Sequence, residues 1–197
     1  MKRRLTLMTV ALVAALTLAA CGTNNDTGAS SAATFNDADV TFAQAMIPHH
    51  QQAVQMANMA KANATTDEVH DLAVKIEAAQ QPEIDLMTAW LTSWNKPLPS
   101  GSGHGMNHGM GSMDADDMPG MMSDDDMMRL DESDGATFDR MFLTMMIQHH
   151  EGAIEMAKTE QTDGKDPDAI SLAKQIQTAQ TDEITTMNKL LDALPAL

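Results

Sequence analysis

The chain has 197 residues, 28 of them acidic and 12 basic, for a formal net charge of −16. Such a surface repels nucleic acid and anionic headgroups and concentrates cations. The single cysteine excludes a disulfide within the chain, and the length suits one domain of moderate size.

Residues 1–20 read as a signal peptide rather than as part of the fold. Lys2, Arg3 and Arg4 make a basic start, and residues 5–18 an apolar run too short to span a membrane comfortably. Leu18-Ala19-Ala20-Cys21 is similar to the lipobox of bacterial lipoproteins. That resemblance implies cleavage before Cys21, lipidation of Cys21, and an extracytoplasmic protein anchored to the cell membrane. An ordinary signal peptide with a chance cysteine is the alternative. Loss of Lys2, Arg3 and Arg4 takes the formal charge from −16 to −19. Residues 21–34 are small and polar, and form a flexible tether.

Four helical segments follow. Asn36 or Asp37 caps the first, which runs to about residue 62. Thr65 with Glu68 makes a capping-box pattern for the second, which runs to about residue 94. Ser133 or Asp134 caps the third, through about residue 159, and Asp166 before Pro167 caps the fourth, to about residue 194. Strand signals are nearly absent, with no tyrosine and few Val or Phe. The expectation is an all-α four-helix bundle built from two helical hairpins, in up-down-up-down order within each half. The domain covers residues 35–197: repeat one is 35–94, a linker is 95–132, and repeat two is 133–197. The linker starts rich in Gly, Ser and Pro and ends rich in Asp, with room for a short helix near residues 127–130. It is too long for a passive bundle turn.

The two halves echo each other. Met46-Ile47-Pro48-His49-His50 recurs as Met146-Ile147-Gln148-His149-His150, one hundred residues on. Ala53 matches Ala153, Met56-Ala57 matches Met156-Ala157, Glu83-Ile84 matches Glu183-Ile184, and Met87 matches Met187. Two copies of one helical unit predict a pseudo-symmetric bundle with a duplicated polar site. On a helical wheel His49 and His50 fall within the apolar face, with Phe42, Met46, Ala53 and Met56 beside His49. The third helix repeats this with Phe142, Met146, His149, His150, Ala153 and Met156, and places Glu151, Glu155 and Lys158 on the polar face. Buried imidazoles need partners for their ring nitrogens, and Glu83 and Glu183 are in register to supply them. Each repeat thus gathers two imidazoles, a carboxylate and thioethers: a metal-ligand set, or a hydrogen-bonded polar layer across the core. Pro48 removes a backbone donor just before His49, where a kink is expected.

The M-I-x-H-H-x-x-A-[VI]-x-M-A pattern, followed by Q-x-x-E-I-x-x-M, resembles the DUF305 family of bacterial secreted proteins. The resemblance covers residues 35–94 and 138–194. It implies a ferritin-like four-helix bundle and, since some members are associated with copper binding or resistance, a metal role. By position it carries over His49, His50, Glu83, His149, His150 and Glu183, with Met46, Met56, Met146 and Met156 beside them.

The linker lies outside that resemblance. His104, Met106, His108 and Met110 alternate at every second residue, and Met113 follows. Eight of the chain's 19 methionines fall in residues 95–132, where a Gly- and Asp-rich loop offers no core to fill. Thioethers with imidazoles favour Cu(I), and imidazole also accepts Cu(II). Zinc would prefer thiolates, and Asp124-Asp125-Asp126 lacks the spacing of a calcium loop. A spacer whose methionines scavenge oxidants is the alternative.

Together these features predict a lipid-anchored extracytoplasmic copper-binding protein that buffers, sequesters or hands on copper, with binding that weakens as imidazoles protonate in acid. Its partners are the metal ion and, through Cys21, the membrane, with room for a homo-oligomer or a copper-transfer partner. Two other classes compete. A metal-free envelope scaffold would use the bundle alone. A ferritin-like di-iron oxidase would need Glu-x-x-His pairs that the helices lack. No catalytic constellation or phosphate-binding loop is recognisable, so no enzyme activity is expected.

Overall fold

The computed structural model describes residues 34–99 and 118–195. The signal peptide, Cys21, the tether up to residue 33, and the linker residues His104, Met106, His108, Met110 and Met113 lie outside the described residues. Five helices are described: α1 (Asp37–Asn63), α2 (Asp67–Ser93), the short α3 (Asp124–Asp131), α4 (Gly135–Asp163) and α5 (Pro167–Ala193). No strand occurs among the described residues.

Asn36 starts α1 with a full capping box. Its side chain accepts from the main-chain N–H of Ala38 and Asp39, and the Asp39 carboxylate accepts from Asn36 N at 2.6 Å. Asp166 caps α5 by accepting from Asp168 N and Ala169 N, with Pro167 pre-set for the first turn. Ser123 caps α3. The capping box expected of Thr65 and Glu68 does not form. Thr66 is the N-cap, without a side-chain cap bond, because both threonine hydroxyls turn instead to Asp139 on α4. Asp134 likewise stands at the cap of α4 without a side-chain cap bond. Pro48 lies inside α1 without dividing it, and Pro82 lies inside α2 in the same way. Pro48 leaves the Gln44 carbonyl without its usual donor.

The packing is dominated by the hairpins α1–α2 and α4–α5 and by the α1–α4 contact between them. Two apolar clusters fill the bundle. One joins the second half of α1 (Met56, Ala57), the first half of α2 (Leu72, Ile76), α3 (Met127, Leu130) and the first half of α4 (Phe138, Phe142, Met146). The other joins the first half of α1 (Phe42, Met46), the second half of α2 (Met87, Leu91), the second half of α4 (Ala153, Ala157) and the first half of α5 (Leu172, Ile176). α2 and α4 therefore run the same way. Each hairpin is antiparallel, as expected within each half, and across the bundle the order is up-down-down-up. A helix of 27 residues is about 40 Å long, so the end of α2 and the start of α4 stand at opposite ends of the bundle. That separation is more than a short turn can span.

Candidate metal centre

The four histidines occupy the layer between the two apolar clusters. On α1 they follow Ile47 of one cluster and precede Ala53 of the other; on α4 they lie between Met146 and Ala153. His49, His50, His149 and His150 are each 0 % exposed. The two repeats meet here: the His49 and His149 rings lie 3.7 Å apart between centroids, tilted by 37°. The half-sites thus share one central layer.

The outer pair is tied to the two carboxylates that lie in register with the repeats. His50 Nε2–H donates to Glu83 Oε2 at 2.7 Å, and His150 Nε2–H donates to Glu183 Oε2 at 2.6 Å. The inner pair differs. His49 Nε2 lies 3.1 Å from the Pro119 carbonyl. A carbonyl only accepts, so Nε2 carries the hydrogen. Neither ring nitrogen of His149 has a hydrogen-bond partner, nor do the Nδ1 atoms of His49, His50 and His150. The His49 main chain slightly favours a proton on His149 but is not placed to hydrogen-bond it. Burial drives the His49 pKa down to about 3, and the neighbouring His50 pushes the same way. Burial, then His49, His150 and His50, hold His149 well below its ordinary value. Both inner imidazoles are neutral at ordinary pH, and the Nδ1 lone pair of His49 is unused. An unpartnered buried nitrogen costs stability, and it is also what an electrophilic metal seeks.

The thioethers are less specific. Met46, Met56 and Met146 are fully buried within the apolar clusters, and Met156 packs at the edge of one of them. No group of three or more His, Cys, Asp or Glu side chains is arranged to hold a metal ion among the described residues. The donors fit a soft or borderline cation by chemistry, through imidazole lone pairs, but they do not form a closed multidentate cage.

Three features escape a reading of the sequence. Residues 118–122 lie across the histidine layer, with Met118 and Met122 buried. Gln52 clasps this strap, donating to Met122 O and accepting from Met122 N, each at 2.8 Å. Second, each repeat supplies a buried aspartate to the other repeat's interhelical loop. Asp39 on α1 accepts from Lys165 N and Asp166 N, each at 2.9 Å. Asp139 on α4 accepts from Thr65 N at 3.0 Å, Thr66 N at 3.2 Å, Thr65 Oγ1 at 2.6 Å and Thr66 Oγ1 at 3.2 Å. The signal was there, since Asp39 and Asp139 are one hundred residues apart. Third, Glu160 is buried where repeat one has Ala60. Burial, then a hydrogen bond to Asp39 and its charge, raises Glu160 to about 8. Burial pulls Asp39 upward, but the Glu160 hydrogen bond and the N–H groups of Asn36, Asp166 and Lys165 outweigh it and leave Asp39 lowered. Two ionised carboxylates this close would repel, so Glu160 holds its proton while Asp39 stays ionised.

The family described as "Domain of unknown function (DUF305)" matches residues 39–191. A DUF305 fragment from Deinococcus radiodurans is 28% identical, with a TM-score of 0.70, over 81% of this chain and 98% of its own. A DUF305 protein from Streptomyces coelicolor, described as secreted, is 33% identical, with a TM-score of 0.69, over 79% of this chain and 93% of its own. CopM, solved in a Cu(II)-bound form, is 34% identical, with a TM-score of 0.62, over 79% of this chain and 96% of its own. CopM is also known in Cu(I)-bound, silver-bound and metal-free forms. No curated protein matches.

Proposed function

The chain belongs to the DUF305 family, and we propose that this member binds copper outside the cytoplasm, as cargo to be buffered, sequestered or passed on. One observation carries the reading: a buried layer of four histidines in which His149 has no partner on either ring nitrogen and His49 keeps a free Nδ1. A related bundle that binds Cu(I), Cu(II) and silver supports the choice of metal. A related protein described as secreted supports an extracytoplasmic location. Lipidation of Cys21 would tie the domain to the membrane through residues 22–33.

In this reading the donors are His49 and His149, with His50 and His150 beside them, held by Glu83 and Glu183. Met46, Met56, Met146 and Met156 supply soft neighbours. His104, Met106, His108, Met110 and Met113 capture Cu(I) through their thioethers and imidazoles. The depressed pKa of His49 alters the expected acid sensitivity. Protons compete for its lone pair only near pH 3, so uptake at the inner pair persists well into acid.

A metal-free scaffold has one observation in its favour, the lack of a three-ligand cluster among the described residues. A Cu(I) titration against a chromophoric chelator separates the two readings. The wild type is compared with a variant in which His104, Met106, His108, Met110 and Met113 are replaced by serine, and with a His49→Ala, His149→Ala variant. Stepwise loss of competing power is expected. A wild type that takes no copper from the chelator overturns the reading in favour of the scaffold.

A further inference from the structure

The repeats are not equal at the histidine layer. The Pro119 carbonyl serves His49 alone and leaves His149 without a partner. The approach of the strap is built into the sequence. Gly152 stands where repeat one has Gln52, and a Cβ there would overlap the Pro119 carbonyl. Gly120 adopts φ +76°, and a Cβ there would lie 2.6 Å from the Gln148 carbonyl. Gln52, left with a side chain where its counterpart has none, holds the strap at Met122. One glycine and one glutamine at equivalent positions thus make the seat and the clasp.

We propose that residues 118–122 are a latch on the imidazole pair. Pro119 fixes the hydrogen of His49 on Nε2, Nδ1 is left as the donor atom, and cargo reaches His49 and His149 when the latch lifts. This rests on the copper reading and adds the residues that regulate the site. Pro119, Gly152 and Gln52 are positioning residues, since they act through His49. The latch is suited to open. It is irregular backbone whose described hydrogen bonds to α1 are those from His49 and Gln52, whereas the helices are held by continuous ladders.

The test uses the protein labelled with ¹⁵N-histidine and Ag(I) as a diamagnetic stand-in for Cu(I). Long-range ¹H–¹⁵N spectra report which ring nitrogen of His49 bears hydrogen. In the wild type, His49 is expected as the pure Nε2–H form, with Ag(I) shifting Nδ1 and leaving the Nε2 hydrogen in place. Gly152→Ala displaces the strap while favouring α4, because alanine is the better helix former. It should give a mixed His49 tautomer and faster Ag(I) uptake at the imidazoles. Gln52→Ala removes two hydrogen bonds at a half-exposed position and should speed uptake about tenfold without steric disturbance. Circular dichroism confirms that each variant is folded. An unchanged tautomer and unchanged uptake in both variants overturn the latch. If Ag(I) shifts no imidazole in any of the proteins, the latch falls too, while the chelator titration still decides whether the chain binds copper elsewhere.

Discussion

His149→Leu should stabilise the metal-free protein. The imidazole is fully buried, neutral, and without a partner on either ring nitrogen. Leaving such a group dry and unsatisfied costs about 1–3 kcal/mol, and leucine has a similar volume and no polar atom. Two losses offset part of that gain: imperfect shape matching, and the ring contact with His49, together about 1 kcal/mol. The net expectation is a stabilisation of about 1 kcal/mol, or a rise in Tm of about 2–4 °C for a domain of this size. His50→Leu is the control, because it strands a carboxylate. Glu83 would lose its 2.7 Å partner, and the variant should be destabilised by about 1–2 kcal/mol. Urea unfolding with a copper chelator present, followed by far-UV circular dichroism, reads both. Opposite signs are the expected result. If His149→Leu is destabilised by more than about 1 kcal/mol, the imidazole is satisfied in solution and the argument from its unused nitrogens fails.

Stability should pass through a maximum near pH 6.5, the ordinary histidine value. His49 and His149 are depressed in the folded state, so the unfolded chain takes up their protons first, and stability is lost as pH falls from about 6.5 toward 3. Glu160 is raised, so the folded state holds the extra proton, and stability is lost as pH rises from 4.5 toward about 8. Below pH 6.5 the two histidines outweigh the one glutamate. Urea melts across the range test this, and Glu160→Gln should flatten the alkaline limb; an alkaline limb unchanged in that variant would count against a proton held on Glu160. Asp139→Ala should cost about 3 kcal/mol, since two main-chain N–H groups at the start of α2 lose a charged acceptor. A loss below about 1 kcal/mol would show that water replaces the carboxylate.

The sequence displays whatever is periodic. The recurrence of His49-His50 as His149-His150, and of Glu83 as Glu183, is enough to identify the inward face of the helices and to put a carboxylate in register with each histidine pair, but not to say which histidine of the pair it holds. What it hides is non-local. Thr65 and Glu68 have the spacing of a capping box, yet Asp139, 74 residues away, takes the threonine hydroxyl. Helix direction is hidden too, because a hairpin pattern says nothing of how a long crossover returns. The strap is the hardest to foresee. Pro119 and Gly120 look like any loop, and their meaning depends on Gly152, a helix-interior glycine that costs about 1 kcal/mol locally and gains its purpose only through a carbonyl above it.

The paired aspartates make the two hairpins meet as the subunits of a twofold homodimer would, each giving the other what it receives. Asp39 serves the loop of repeat two, and Asp139 the loop of repeat one. In a true homodimer every substitution appears twice, so an ornament on one side must be tolerated on the other. A single chain is free of that restriction. The departures from symmetry in this protein, Gly152 against Gln52, Gln148 against Pro48, and Glu160 against Ala60, are changes of that newly permitted kind. Tandem fusion thus does more than double a site: it allows one imidazole of a matched pair to be held while its twin is left open.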